Sequence, residues 1–289
     1  MSAPGATSAA LARRPESAPR SAGQQKAAAV RVGSRARRTR GRAVLLGAIS
    51  IGAVLSLWQL ASTFAWVNPL FLPTPAMVAA ELWELFTTPG SRIWNDLAVS
   101  GIEFVLGLSI AIVIGGVLGV LMGWFLTIDG LLRPLVVAVN STPMVAIIPL
   151  IILIFGVDIL PKVIIVVIGC SITIILNTAA GVVNVDQSLL QVARSMNATT
   201  GQLIRTVVTP SLIPYFMVGV RISVGTALIG IVTAEFLASR AGLGNLLITA
   251  SNSFDMPLVY ATVLILTFVG ITLTQLAALL ERRIQRWKA

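Results

Sequence analysis

Six apolar stretches, each long enough to cross a bilayer, leave this chain almost no soluble fold to adopt. They cover roughly residues 43–65, 103–126, 135–157, 163–184, 212–235 and 257–280. About 20 apolar residues are needed to span the hydrocarbon as a helix. The second, third, fourth and sixth stretches carry no charge between their ends, apart from Glu103 at the edge of the second; the fifth carries Arg221. Only 11% of the 289 residues are charged and 56% are hydrophobic. An ordinary soluble domain is about a quarter charged, and no soluble core could hide this much apolar surface. The predicted fold class is all-α: a polytopic membrane protein with about six transmembrane helices and a two-helix elbow on one face.

The basic residues sit at the ends. Ten of them fall within the first 42 positions, and Arg282, Arg283, Arg286 and Lys288 close the chain. Residues 1–42 are rich in Ala, Ser, Arg, Gly and Pro, which predicts a disordered basic tail lying against anionic lipid rather than a nucleic-acid site. The apolar run after it is too long for a signal peptide and reads as the first span of a 43–289 membrane domain. With the N-terminus inside, 17 lysines and arginines fall on the cytoplasmic side and three, Arg92, Lys162 and Arg240, outside. The positive-inside rule therefore places both termini in the cytoplasm. Between the first two spans, Pro69, Pro73 and Pro75 precede a predicted short helix from Ala76 to Phe86, ended by Pro89-Gly90.

Several chemistries are excluded. The chain has no histidine and a single cysteine, Cys170, in an apolar run. That removes His-based metal centres and intrachain disulfides, and no cofactor or metal is expected. The lysines Lys26, Lys162 and Lys288 follow no glycine-rich loop, so the chain has no P-loop and is not expected to be an enzyme. Gly115, Gly116, Gly119 and Gly123 give the second span a small-residue spacing suited to close helix packing.

One polar segment, 186–214, interrupts the apolar pattern. Leu189, Val192, Ala193 and Met196 recur at i, i+3, i+4 and i+7, an apolar stripe on a short helix. Thr199-Thr200-Gly201-Gln202 has the form of a capping box and predicts a second helix start. Pro210 and Pro214 are then expected to break or redirect the chain as the next span begins. The parity of the spans puts this elbow in the cytoplasm, shaped for docking a partner.

The elbow and its sequel resemble the inner-membrane permeases of bacterial ABC importers. That family carries Glu-Ala-Ala, a glycine four residues after the last alanine, and Leu-Pro at the end. Gln191-Val192-Ala193 takes the first place here, Asn197 the glycine and Thr209-Pro210 the last pair. Ala193, Arg194 and Pro210 keep the pattern; Gln191, Val192, Asn197 and Thr209 depart from it. Pro143 with Ala146-Ile147-Ile148-Pro149-Leu150, Phe155-Gly156, Leu176-Asn177-Thr178, Gly181, Val185-Asp186, Gly219-Val220-Arg221, Ala234-Glu235 and Gly242-Leu243-Gly244 follow in the family's order, over about residues 65–280. The pattern is most similar to the branch carrying nitrate, sulfonate, taurine and related solutes.

The resemblance implies a permease subunit in a bacterial cell membrane, forming the path for a small solute. Its implied partners are cytoplasmic ABC ATPase subunits, an extracytoplasmic solute-binding protein, a second permease copy and membrane lipid, with no nucleic acid. Leu189, Gln191, Val192, Ala193, Arg194, Met196, Asn197 and Pro210 would form the ATPase-coupling surface, an apolar stripe seated in a groove. Gln191 lacks the family's charge, so a neutral hydrogen bond replaces any salt bridge. Asn197 can take the left-handed conformation that a glycine would supply.

Candidates for the translocation path are Asn140, Ser141, Thr142, Arg221 and Glu235. Each has a structural alternative. Arg221 could attract an anion or bond backbone carbonyls near the elbow. Glu235 could line an outer gate or reach the interface. Asn140, Ser141 and Thr142 could line the path or bond the carbonyls that Pro143 leaves free. Glu103 is expected in the outer headgroup region. Two competing readings remain at this point, a self-contained secondary transporter or channel and a membrane scaffold recruiting a cytoplasmic partner. The first of these tends to show inverted repeats and mid-membrane ionisable groups, which the sequence does not.

Overall fold

The computed structural model describes residues 45–68 and 70–285. The predicted basic tail 1–42 lies outside the described residues, as do Arg286 and Lys288. Every regular element among the described residues is helical. The chain divides into two compact units, and the first, ending at Leu60, contributes most of helix α1 (Leu45–Thr63). Leu46, Ile51 and Val54 of α1 are exposed, as a lipid-facing span requires.

The second unit begins at Ala61. Its first helix, α2 (Pro75–Thr87), matches the predicted short helix and starts for a local reason. The Thr74 hydroxyl accepts from the Met77 amide, and Pro75 fills the first turn, where its missing N–H is not needed. There follow α3 (Ile93–Trp124), α4 (Leu126–Ser141), α5 (Met144–Phe155), α6 (Ile159–Val183), α7 (Gln187–Ser195) and α8 (Thr200–Leu203). A wide turn over Ile204–Val208 leads into α9 (Thr209–Leu237), and α10 (Leu243–Asn252) and α11 (Met256–Gln285) complete the unit.

The core is built on α3, α6 and α9. A Cβ added at Gly107, Gly115, Gly119 or Gly123 would lie 2.5–2.7 Å from the Cβ of Val166, Ile174, Thr178 or Val182, respectively. Both members of the pairing advance together, so α3 and α6 run side by side in the same direction, with backbones as close as glycine allows. Ala111 and Cys170, both fully buried, continue the stripe, and the cysteine is a packing residue. The contact of α6 with α9 runs the other way: Gly181 meets Tyr215, and Gly219 meets Asn177.

Two elements differ from the sequence reading. The predicted third span is a bent pair, with α4 and α5 meeting at 100° across Thr142-Pro143. Proline forces its predecessor out of the helical region, and Thr142 is extended at φ −85°, ψ 127°. Counting the pair as one, six helical stretches are long and apolar enough to cross a membrane. Pro210 and Pro214, in contrast, do not break the chain, which stays helical from Thr200 to Leu237. At the wide turn the Thr209 amide and hydroxyl both reach back five residues to the Ile204 carbonyl. The extra residue of the wide turn makes room for the Pro210 ring, so the helix continues past it, and Pro214 lies inside α9.

Candidate functional site

The elbow is a compact structure of its own. The Asp186 carboxylate caps α7 by accepting from the Ser188 amide at 2.8 Å. Hydrogen bonds from the Ser188 side chain and backbone hold that carboxyl below the usual aspartate range. At the other end Asn197 adopts φ +57°, the left-handed conformation expected of a glycine substitute. The Asn197 amide then donates to Arg194 O at 2.9 Å and the Ala198 amide to Ala193 O at 3.1 Å, closing a Schellman motif. The capping box is present as predicted: the Gln202 amide donates to Thr199 Oγ1, and the Thr199 amide to Gln202 Oε1 at 2.8 Å.

This geometry gives α7 two faces. Leu190 is buried against Val185, Leu203, Val208 and Leu212, which fastens the elbow to the bases of α6 and α9. Leu189, Val192 and Met196 point the other way and are 50%, 61% and 78% exposed. With Ala193, Val207 and Pro210 they line a shallow cleft of about 380 Å³. Gln191, Arg194 and Asn197 are exposed. Of the predicted coupling residues, Leu189, Val192, Ala193, Met196 and Pro210 share this cleft, whereas Gln191, Arg194 and Asn197 do not line it.

The path candidates are not brought together. Asn140, Ser141 and Thr142 stand exposed at the tip of the α4–α5 bend, where the Thr142 hydroxyl donates to Ala138 O. Arg221 pairs with Glu281 of α11 at 3.3 Å rather than with backbone carbonyls, and it stays half-exposed. Glu235 reaches neither an open gate nor the interface, because it is fully buried. Arg221 and Glu235 lie about 21 Å apart along α9, at about 1.5 Å per residue.

Glu235 belongs instead to a polar cluster at the opposite end of the bundle from the elbow. Glu103, placed in the headgroup region by the sequence, is fully buried, and its Oε1 accepts from Lys162 Nζ at 2.6 Å. Glu103 Oε2 finds no donor among the described residues. Lys162, counted from sequence as a loop charge, is 3% exposed and also donates to Ser239 Oγ at 2.7 Å. Ser100 donates to Glu235 Oε1 at 2.6 Å. The first amides of α10 are then taken in turn: Gly242 by Asp96, Leu243 by Ser100 and Gly244 by Glu235, at 2.8, 2.9 and 2.6 Å. Arg92 bonds both Asp96 and Asn245.

The Gly242-Leu243-Gly244 motif has a physical cause here. Gly242 holds φ +113°, and a Cβ there would fall on the Glu235 carboxylate. The sequence reading missed Asp96, Ser100 and the Glu103–Lys162 pair. A signal was available, since Asp96, Ser100, Glu103, Gly107 and Ala111 recur at helical spacing on the small-residue face of α3.

A multi-pass helical membrane protein whose elbow offers an apolar face beyond its spans falls in the class of transporter membrane subunits. Residues 107–286 match the family model described as binding-protein-dependent transport system inner membrane component. The chain belongs to that family and is the membrane-spanning permease subunit of an ABC importer, whose ATPase is a separate subunit.

It is 29% identical to the putative aliphatic sulfonates transport permease protein SsuC of Bacillus subtilis (strain 168), covering 84% of this chain and 87% of that one. It is 27% identical to the taurine transport system permease protein TauC of Escherichia coli (strain K12), over 85% and 90%. It is 31% identical to the riboflavin transport system permease protein RibX of Chloroflexus aurantiacus (strain ATCC 29366 / DSM 635 / J-10-fl), over 83% and 89%. Among solved structures, the inward-facing MetNI methionine ABC transporter shares the fold with a TM-score of 0.55 at 16% identity, over 72% of this chain and 99% of that one.

Proposed function

We propose that the chain carries a small anionic or zwitterionic solute of the sulfonate, nitrate or taurine kind inward across a bacterial cell membrane. The observation that carries this reading is the match to permeases named for aliphatic sulfonates and for taurine, which extends over 84% and 85% of the chain. In this reading two permease copies enclose the path, a solute-binding protein delivers cargo outside, and ATPase subunits seat on the exposed Leu189–Val192–Met196 face. Both termini are cytoplasmic, in keeping with the charge distribution. The exposed Asn140, Ser141, Thr142 and Arg221 remain accessible to solute, and the enclosed Glu235 acts elsewhere.

The test is uptake into proteoliposomes holding the permease, its co-purified ATPase and the binding protein encoded beside it. Taurine, an alkanesulfonate, nitrate and riboflavin serve as labelled probes, because the riboflavin permease matches at similar identity. ATP-dependent uptake of taurine, the sulfonate or nitrate is the expected result. Uptake of riboflavin alone would overturn the substrate assignment.

A further inference from the structure

Helix α10 has no spanning role: it has ten residues between two spans, and its first turn carries amides that need acceptors. The chain supplies these from two other helices, Asp96 and Ser100 from α3 and Glu235 from α9. Ser100 also joins α3 to α9 directly through Glu235. Lys162 of α6 holds Ser239, and Asn245 donates to the Ser239 carbonyl at 2.7 Å, so the connection from α9 to α10 is fastened along its length. At the other end, the helical run Thr200–Leu237 passes unbroken from the elbow to Glu235. That run is about 52 Å long from Thr200 to Glu235.

We propose that Asp96, Ser100 and Glu235 form a latch that makes α10 and the adjoining ends of α3, α6 and α9 one rigid body, so that motion at the elbow is delivered undiminished to α10. The proposal rests on the reading of the elbow as the ATPase seat. Glu235 is a positioning residue, and what the latch needs from it is two acceptor sites in a fixed place. The Ser100 hydroxyl donates to one carboxylate oxygen and the Gly244 amide to the other. A glutamine keeps an acceptor for the amide and turns its NH2 toward a hydroxyl that can accept. A leucine leaves both donors buried without partners. Gly244→Ala attacks the same contact without removing any polar group, since its Cβ would lie 2.7 Å from both Glu235 Cβ and Val232 O.

The experiment places spin labels at Asn184→Cys, the C-cap of α6, and Thr249→Cys, on α10, in a Cys170→Ser background. The distance between them is measured in the permease purified with its ATPase, with and without vanadate-trapped ATP. One narrow distance, unchanged by nucleotide, is expected for the parent and for Glu235→Gln. Glu235→Leu and Gly244→Ala should lose that single distance while the ATPase stays bound. A parent distance that shifts with nucleotide would overturn the proposal, as would a narrow distance in Glu235→Leu. A Glu235→Gln profile as broad as that of Glu235→Leu would also sink it, because the charge rather than the geometry would then be required. If no ATPase co-purifies, the importer reading fails by itself, and the same label pair on the isolated permease still decides whether the latch exists.

Discussion

At the scale of single residues, the Glu103–Lys162 pair is a buried ion pair joining α3 to α6. Both groups are buried, and Lys162 donates to the Glu103 carboxylate at 2.6 Å. Removing one partner of a buried pair leaves the other charge uncompensated, so Lys162→Met should cost about 3–5 kcal/mol. Replacing both, as Glu103→Leu with Lys162→Met, should recover most of that loss. The thermal midpoint of the purified permease reads both effects, and equal loss in the single and double variants would show that the pair is not the cause. Asn197 offers a test of opposite sign. Its φ of +57° suits glycine and disfavours branched side chains. Asn197→Gly should be close to neutral, and Asn197→Val should destabilise the elbow by about 1–3 kcal/mol. Amide exchange across residues 187–203 measures this directly.

Helix by helix, contact distance decides which glycines matter. A Cβ at Gly119 would sit 2.5 Å from the Thr178 Cβ, whereas one at Gly101 meets nothing within 4 Å. Gly119→Ala should therefore force α3 off α6 at a cost of about 1–3 kcal/mol. Gly101→Ala should raise stability by about 0.5–1 kcal/mol, through helix propensity alone. Equal midpoints for the two variants would contradict the side-by-side packing. Much of this level was legible beforehand. The span count, α2, the glycine stripe and the capping box at Thr199 all follow from local spacing. The bend at Pro143 and the passage through Pro210 did not, although both turn on proline. Hydropathy averages over a window and is blind to direction, so a right-angled pair and a straight span look alike. Whether a proline breaks a helix depends on a neighbouring turn having room for the ring, and sequence does not report that. The polar cluster was hidden for a related reason: Glu103 and Lys162 are 59 residues apart, and only the parallel register of α3 and α6 brings them together.

For the molecule as a whole, two ends of one bundle carry different chemistry. An apolar elbow face is exposed at one end, and a buried polar cluster fixes a short helix at the other. In the proposed topology, which follows the positive-inside rule, the first end is cytoplasmic and the second faces outside. In a Cys170→Ser background, a cysteine at Arg240 should react with impermeant maleimide added outside, and one at Arg205 only after the membrane is opened. The reverse pattern would invert the topology. The central claim is that the α7 face couples this permease to its ATPase. Val192 is 61% exposed at the middle of that face. A charge there would be driven unpaired into an apolar groove, so Val192→Asp should weaken docking by a few kcal/mol. Gln202→Ala, which only loosens a cap worth about 1 kcal/mol, is the control. The measurement is the amount of ATPase retained on affinity-tagged permease. Loss of the ATPase in Val192→Asp, with normal permease levels and retention in Gln202→Ala, is the predicted result; full retention in Val192→Asp would contradict the account.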